Sequence, residues 1–314
     1  MSKHILSVGD LVFDLIMPVS LPISSNQMMG GRRYEPGGAG NFMIAARNMG
    51  AQVSAVGAVG DDPFGTMLLD MLLEKGIDVA MVQAEPHTTT TLVLVFSDAK
   101  TNQHVYLGDY GMGDPMAFPS GLHELLHDVD AVYFYGFTFV EPRTAPFAVD
   151  MLKAAKKQNL PVYFDVGPLT NALPVEKITD IIREVDVLLT TADELTIVSA
   201  GHTGQATYKH LLGMGVSTII VKQDAAGCSV ITADEQQNFP AYPAQLVDTV
   251  GAGDCFGGAF VWAHLNGFSL PECAKIANAM GAATVERVGA GRLAPTRDEV
   301  QRILNAAAED IQLS

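Results

Sequence analysis

Short apolar runs alternate with stretches of helical periodicity along most of the chain. His4–Val8 (HILSV) reads as a first buried strand. Residues 41–49 follow a helical pattern and stop at Gly50, as a C-terminal glycine would stop a helix. Residues 52–59 read as a second strand. Asp62-Pro63 then opens a helix, with Asp as cap and Pro in the first turn, that runs to Gly76. Ala131–Tyr135, Val162–Asp165 and the runs 187–190 and 218–221 are short and β-rich. Helical segments at 144–158, 174–183 and 203–213 separate them, and residues 253–310 read as three further helices. Strands alternating with helices predict an α/β fold, a parallel sheet covered on both faces. Two stretches break the alternation. Residues 12–36 and 88–110 hold β-rich pieces (92–96 and 104–107) with no helix between them, which predicts a small sheet projecting as a lid from one domain spanning 1–314.

Composition narrows the partners. Nineteen Lys and Arg against 35 Asp and Glu leave a net charge of −16 with no basic stripe, which excludes a grip on nucleic-acid phosphates. With 48% hydrophobic and 17% charged residues, 314 residues can bury a large core. Cys228, Cys255 and Cys273 form neither a disulfide framework nor a CxxC zinc motif. No basic segment leads into a long apolar core near Met1, and no apolar run reaches the roughly 20 residues that span a bilayer. The expectation is a cytoplasmic protein without membrane contact.

The strongest local signal is Asp248-Thr249-Val250-Gly251-Ala252-Gly253-Asp254, leading into an apolar helix with Gly257, Gly258, Ala259 and Phe260. Small residues at a helix entrance leave N–H groups uncovered at the positive end of the dipole, which makes an anion site without lysine. Asp254 would stay ionised there and could accept a proton from a hydroxyl held beside the anion; alternatively it caps the helix and the glycines serve packing.

These residues, with Gly37-Gly38-Ala39-Gly40-Asn41 near the N-terminus, resemble the two signatures of the ribokinase or PfkB family of carbohydrate kinases. Gly50 and Gly60 follow at the family's intervals, and other pieces recur in order. They are Val8-Gly9-Asp10 with Asp14, the run from Gly57 through Asp61-Asp62-Pro63 to Gly65, Asn278, and Gly289-Ala290-Gly291. The resemblance spans nearly the whole chain. It implies a ribokinase-like fold with a small β lid and transfer of the ATP γ-phosphoryl group to a hydroxyl of a sugar or sugar acid, with a nucleoside as the alternative acceptor. It further implies Asp254 as general base, with the backbone of Gly251, Ala252 and Gly253 as the anion hole. Asp14, Gly38 and Asn41 would hold substrate hydroxyls. Asn278, Thr249 and the turn Lys222-Gln223-Asp224-Ala225-Ala226-Gly227 would lie on the ATP side. Glu194 would help place Mg²⁺ through water, and Asp248 with the backbone of Val250 would sit near a monovalent cation such as K⁺. The lid would exclude water from the sugar, and its β edges invite pairing into a homodimer.

Four positions depart from the family pattern. Thr191 stands where Asn is usual in the Asn-x-x-Glu motif ending at Glu194, Asp224 stands in place of glycine, Met43 replaces a small residue, and Val12 occupies a place that is Asn in ribokinase-like sequences. Thr191 and Asp224 leave room for a non-catalytic binding relative, against which Asp254 argues. His123-Glu124-Leu125-Leu126-His127 matches HExxH, with Glu141 as the nearest downstream third ligand for zinc hydrolysis. The competing reading is a short surface helix whose core stripe is Leu122, Leu125, Leu126 and Val129. Arg32-Arg33 would meet a phosphorylated sugar or form a solvated lid edge. Asp165, at a strand's carboxyl end, would contact substrate or cap the turn at Gly167-Pro168. Phe13, Phe42 and Tyr106 would wall a nucleoside's base or pack the lid, and Met28-Met29 would lie on the lid surface. Neither GxxxxGK[ST] nor GxGxxG occurs, which disfavours a P-loop NTPase and a Rossmann dehydrogenase.

Overall fold

A computed structural model describes residues 2–24, 27, 30–98, 100–101 and 103–313 of the chain; Met28-Met29 lie outside the described residues. The strands in chain order are β1 (His4–Val8), β2 (Val12–Pro18), β3 (Arg33–Pro36), β4 (Gln52–Gly60), β5 (Asp78–Glu85), β6 (Thr91–Asp98) and β7 (Gln103–Asp109). They continue with β8 (Ala131–Tyr135), β9 (Val162–Asp165), β10 (Val187–Thr191), β11 (Thr218–Lys222), β12 (Cys228–Ile231) and β13 (Gln236–Phe239). Nine of them build the main sheet in the order β13-β12-β11-β10-β9-β8-β1-β4-β5. From β11 to β5 every pairing is parallel, whereas β12 and β13 add an antiparallel edge hairpin that the expected all-parallel sheet lacked.

Strict alternation along the central strands divides the interior into two cores. Ile5, Ala131, Tyr133, Tyr163, Val187 and Leu189 face one, which is covered by the helices Ala39–Met49, Ala252–Leu265, Leu270–Val285 and Arg297–Ala306. Leu6, Val8, Val132, Phe134, Phe164 and Leu188 face the other, under Leu122–Asp128, Ala145–Lys157, Val175–Ile182 and Gln205–Gly213. Each such side chain, buried, contributes about 1.5–3 kcal/mol, and period 2 means that a one-residue slip would swap the two faces. The helix Ala252–Leu265 is buried nearly all round against Ala39–Met49. A Cβ at Gly258 would stand 2.6 Å from the Phe42 carbonyl oxygen, so glycine sets how closely the two helices approach.

Strands β2 and β3, from the first of the two β-rich segments, and β6 and β7, from the second, form a second sheet in the order β3-β2-β6-β7. It joins the main body through β2, which leaves β1 after only three residues, Gly9, Asp10 and Leu11. Val95 and Ile16 of this sheet pack on Val250, at the entrance of the helix Ala252–Leu265. Among the described residues no helix is long and apolar enough to cross a membrane.

Candidate active site

At the carboxyl ends of the parallel strands, under the small sheet, lies a cavity of about 610 Å³. Crossover connections bring loops to that edge in open α/β sheets, so ligands collect there. Asp10, Asp14, Gly38, Asn41, Val250, Gly251, Gly253 and Asp254 all line it, from segments as far apart as 10 and 254. Gly37 and Gly38 let the chain pass close to two carboxylates, because a Cβ on either would collide with Asp14 or Asp10 respectively. Gly38 also has φ +47, a conformation that favours glycine. The Asp10 Oδ2 accepts the Ala39 N–H at 2.8 Å. Burial pushes the Asp10 carboxyl up to about 7, a rise that the Ala39 N–H opposes and the Asp254 and Glu141 charges reinforce. Asp14 is pushed well above the usual carboxylate range by burial and by the charges of Asp254, Asp10 and Glu35.

Gly251, at φ +74, turns the chain into the helix that begins at Ala252, so Asp254 falls in its first turn. The first four N–H groups of a helix lack intrahelical acceptors. Of these, Ala252 N–H is engaged by the Thr249 carbonyl at 3.2 Å. Asn41 Nδ2 donates to Asp254 Oδ2 at 3.0 Å, and Asn41 Oδ1 accepts the Gly291 N–H at 2.6 Å. One amide therefore ties Asp254 to the 289–291 loop. The expected ionising pull of the helix entrance on Asp254 is outweighed: burial raises its carboxyl above the ordinary range, while the Lys222 charge and the Asn41 amide hold it back.

Asp165 does not line the cavity. Both its oxygens accept from Lys222 Nζ at 2.8 Å, so the carboxylate is spent on that ammonium and not on capping the turn at Gly167-Pro168. Burial lowers the Lys222 ammonium, yet the Asp165 and Glu194 carboxylates more than offset this and lift it above its usual range. That ammonium stands at the helix entrance, 3.6 Å from where a Cβ on Gly253 would be. Glu194 Oε2 accepts the Thr191 N–H at 2.8 Å, and Thr191 Oγ1 accepts the Glu194 N–H at 3.2 Å. Thr191 thus closes a reciprocal turn that orients Glu194 although the usual amide is missing. Asp224 is exposed with φ +48, which explains why glycine suits its position. Gly227 packs where a Cβ would strike the Phe239 carbonyl, and Thr249 is exposed. Asn278 does not line the cavity. Its Nδ2 donates to the carbonyls of Phe239 and Pro240 at 3.0 and 3.2 Å, bracing the same segment that Gly227 touches.

Several cavity residues carried no sequence signal for the sugar site, Glu141 having been singled out only as a zinc ligand. Arg143, 3% exposed, donates Nε to Glu141 at 2.8 Å, and both line the cavity. Tyr110, Tyr135 and Phe137 join Tyr106 on the wall. Phe13 and Phe42 are fully buried and do not reach it. His123, Glu124 and His127 face solvent, with His123 stacked on Phe118, while Glu141 is held by Arg143 and by the Thr144 N–H. Among the described residues no three His, Cys, Asp or Glu side chains converge to hold a metal, so the zinc-hydrolase reading has no site. Arg32 lies over the Tyr34 ring, and Arg33 reaches Glu35 and the Val288 carbonyl, away from the cavity.

The sequence model of the pfkB family of carbohydrate kinases matches residues 2–297. The chain belongs to the pfkB family of carbohydrate kinases. A ribokinase of Bacillus subtilis is 26% identical over 308 residues, covering 96% of this chain and 100% of that protein. Fructokinase-2 of rice (Oryza sativa subsp. japonica) is 25% identical over 321 residues, covering 97% and 94%. The structure of Arabidopsis thaliana ribokinase complexed with ribose and ATP shares the fold at a TM-score of 0.79 and 23% identity, over 97% of this chain and 98% of that one. As a family member the protein is a sugar kinase, a phosphotransferase with an alcohol acceptor.

Proposed function

We propose that the cavity binds a small neutral sugar and that Asp254 removes the proton from the hydroxyl that attacks the γ-phosphoryl group of ATP. The observation that carries this is the place of Asp254: first turn of a glycine-entered helix, on the cavity wall, with one oxygen fixed by Asn41. A carboxyl raised above its ordinary range is a stronger base once ionised, closer to the working pH. The Gly251, Ala252 and Gly253 backbone is the anion hole, with Ala252 turning its N–H from the Thr249 carbonyl or sharing it. Asp14, Gly38 and Asn41 orient the sugar, joined by Asp10 and the Glu141–Arg143 pair. ATP lies along Lys222, Asp224, Gly227 and Thr249, with Asn278 supporting that wall from behind.

Bound with ATP, Mg²⁺ would neutralise phosphate charge. Glu194 fits a role in its water shell, because Oε2 is committed to the Thr191 N–H and Oε1 remains as an acceptor. One carboxylate beside substrate phosphates suits Mg²⁺, which keeps most of its waters. The monovalent cation has no part in this reading, because Asp248 already accepts from His104 Nε2 and from the Val250 and Gly289 N–H groups.

The small sheet acts as the lid, since Val12, Asp14, Val93, Tyr106, Gly108 and Asp109 from its strands cover the cavity. Its edge strand β7 exposes Val105, Tyr106 and Leu107 at 44–59%, which favours pairing with a second copy; sedimentation of the protein tests this. Charge bears on the acceptor. Among the described residues Asp10, Asp14, Asp109, Glu141 and Asp254 line the cavity against one cation, Arg143. An anionic acceptor beside carboxyls already raised by burial would drive them further toward their protonated forms, Asp254 included, so sugar acids and sugar phosphates are disfavoured relative to neutral sugars. Tyr106, Tyr110, Tyr135 and Phe137 give the nucleoside reading its support, as aromatic faces for a base. ADP release with Mg-ATP across neutral sugars, sugar acids, sugar phosphates and nucleosides separates these; turnover only with anionic sugars would contradict the charge argument.

A further inference from the structure

The family resemblance places a monovalent cation at Asp248 and the Val250 backbone, and the partners of these groups test the fit. Asp248 is 3% exposed. Its Oδ1 accepts from His104 Nε2 at 3.0 Å and from the Val250 N–H at 3.1 Å, and its Oδ2 accepts the Gly289 N–H at 2.8 Å. The neighbouring Val288 carbonyl accepts from Arg33 Nη1, and a Cβ on Gly289 would stand 3.0 Å from that nitrogen. Arg33 Nη2 is steadied by Glu35 at 3.0 Å. A monovalent ion needs oxygens with unclaimed lone pairs. Here N–H donors take three of the carboxylate's roughly four lone-pair sites, and a permanent guanidinium charge already stands against the adjacent carbonyl, where it would repel a cation. These residues do not fit a cation.

We propose that Arg33 and His104, both on the lid sheet, take the place of a monovalent cation, so that the kinase reaction needs no K⁺. This rests on the kinase reading above. Arg33 supplies the charge. His104 supplies an N–H donor, which its Nε2-protonated neutral tautomer already provides. Both are positioning residues. From Asp248 the hydrogen bonds pass to the 289–291 loop, from Gly291 to Asn41, and from Asn41 to Asp254, so docking of the lid sets the base.

The test titrates the wild-type protein with KCl in a tetramethylammonium buffer of constant ionic strength, reading sugar-dependent ADP release and the unfolding temperature. The expected result is turnover constant within about twofold and an unfolding temperature that K⁺ leaves unmoved. K⁺ activation of about tenfold or more, or stabilisation by K⁺ that tetramethylammonium does not reproduce, overturns the proposal. The Arg33→Ala/His104→Ala protein uncovers Asp248 and the Val288 carbonyl. It should lose about tenfold or more in kcat at little cost in sugar KM, and become stabilised by K⁺, while His104→Gln should stay near wild type. A double variant with unchanged kcat overturns the positioning role. Should that variant fail to fold, the wild-type titration decides. If no acceptor supports turnover, the kinase reading fails by itself and the unfolding temperature still reports whether K⁺ binds.

Discussion

Replacing Asp10 by Asn should stabilise the protein while impairing it as an enzyme. Asp10 is 6% exposed, accepts a single backbone N–H, from Ala39, and shares its surroundings with Asp254 and Glu141. Its carboxyl titrates near 7 in the fold against 3.8 in an unfolded chain. Between those values the folded protein binds the extra proton, so stability falls as pH rises, and the ionised form above 7 carries the full cost of burial. That cost is up to about 4 kcal/mol. Asn keeps the acceptor for Ala39 and cannot ionise. The variant should therefore unfold later than wild type at pH 8, by up to about 6 °C for a chain of this length. The gain should shrink through pH 7 to 4 and vanish below about 4, where wild-type Asp10 is neutral in both states. Calorimetric unfolding of both proteins across pH 4–8 measures it. A difference independent of pH, or an Asn variant less stable at pH 8, would refute the reasoning. Sugar-dependent kcat/KM should drop in the same variant, because a carboxylate on the cavity wall is lost.

Lys222→Ala strands Asp165 as a buried carboxylate without its ammonium; urea unfolding at pH 8 should show a loss of about 3–5 kcal/mol, less at pH 5, where Asp165 takes a proton. The raised carboxyl of Asp254 should place the acid limb of kcat/KM above the ordinary carboxylate range, and a limb near pH 4 would count against Asp254 as base. The K⁺ titration supplies a further prediction, turnover without a monovalent cation.

Where strands are buried on both faces the sequence was readable. His4–Val8, Ala131–Tyr135 and Val162–Asp165 occur with the expected bounds, since a run of apolar residues between helices has one way to be covered. β5 went unread because its sequence, DVAMVQAE, is half exposed and mixes polar residues into an edge strand. The edge hairpin β12–β13 was missed because its second strand, Gln236–Phe239 (QQNF), carries almost no apolar signal. Within the site, Asp254 and Gly37-Gly38 could be found because backbone constraints force glycine into recognisable clusters. Glu141 and Arg143 could not, being joined to the cavity only by tertiary folding, as with His104, which meets a partner 144 residues away. Asp165 and Asn278 show the converse. Their positions at the site's edge were readable, but their side chains serve Lys222 and the 239–240 backbone, which only the fold brings near.

The central claim is that Asp254 is the base for phosphoryl transfer to a sugar hydroxyl. The most direct test measures ADP release with Mg-ATP and each acceptor of the panel, for wild type and Asp254→Asn, with binding of ATP and sugar measured alongside. The account predicts turnover that depends on a neutral sugar, and a fall of at least about a hundredfold in kcat for the variant with both ligands still bound. A variant that turns over as fast as wild type, or a wild type that binds no ATP, would contradict it.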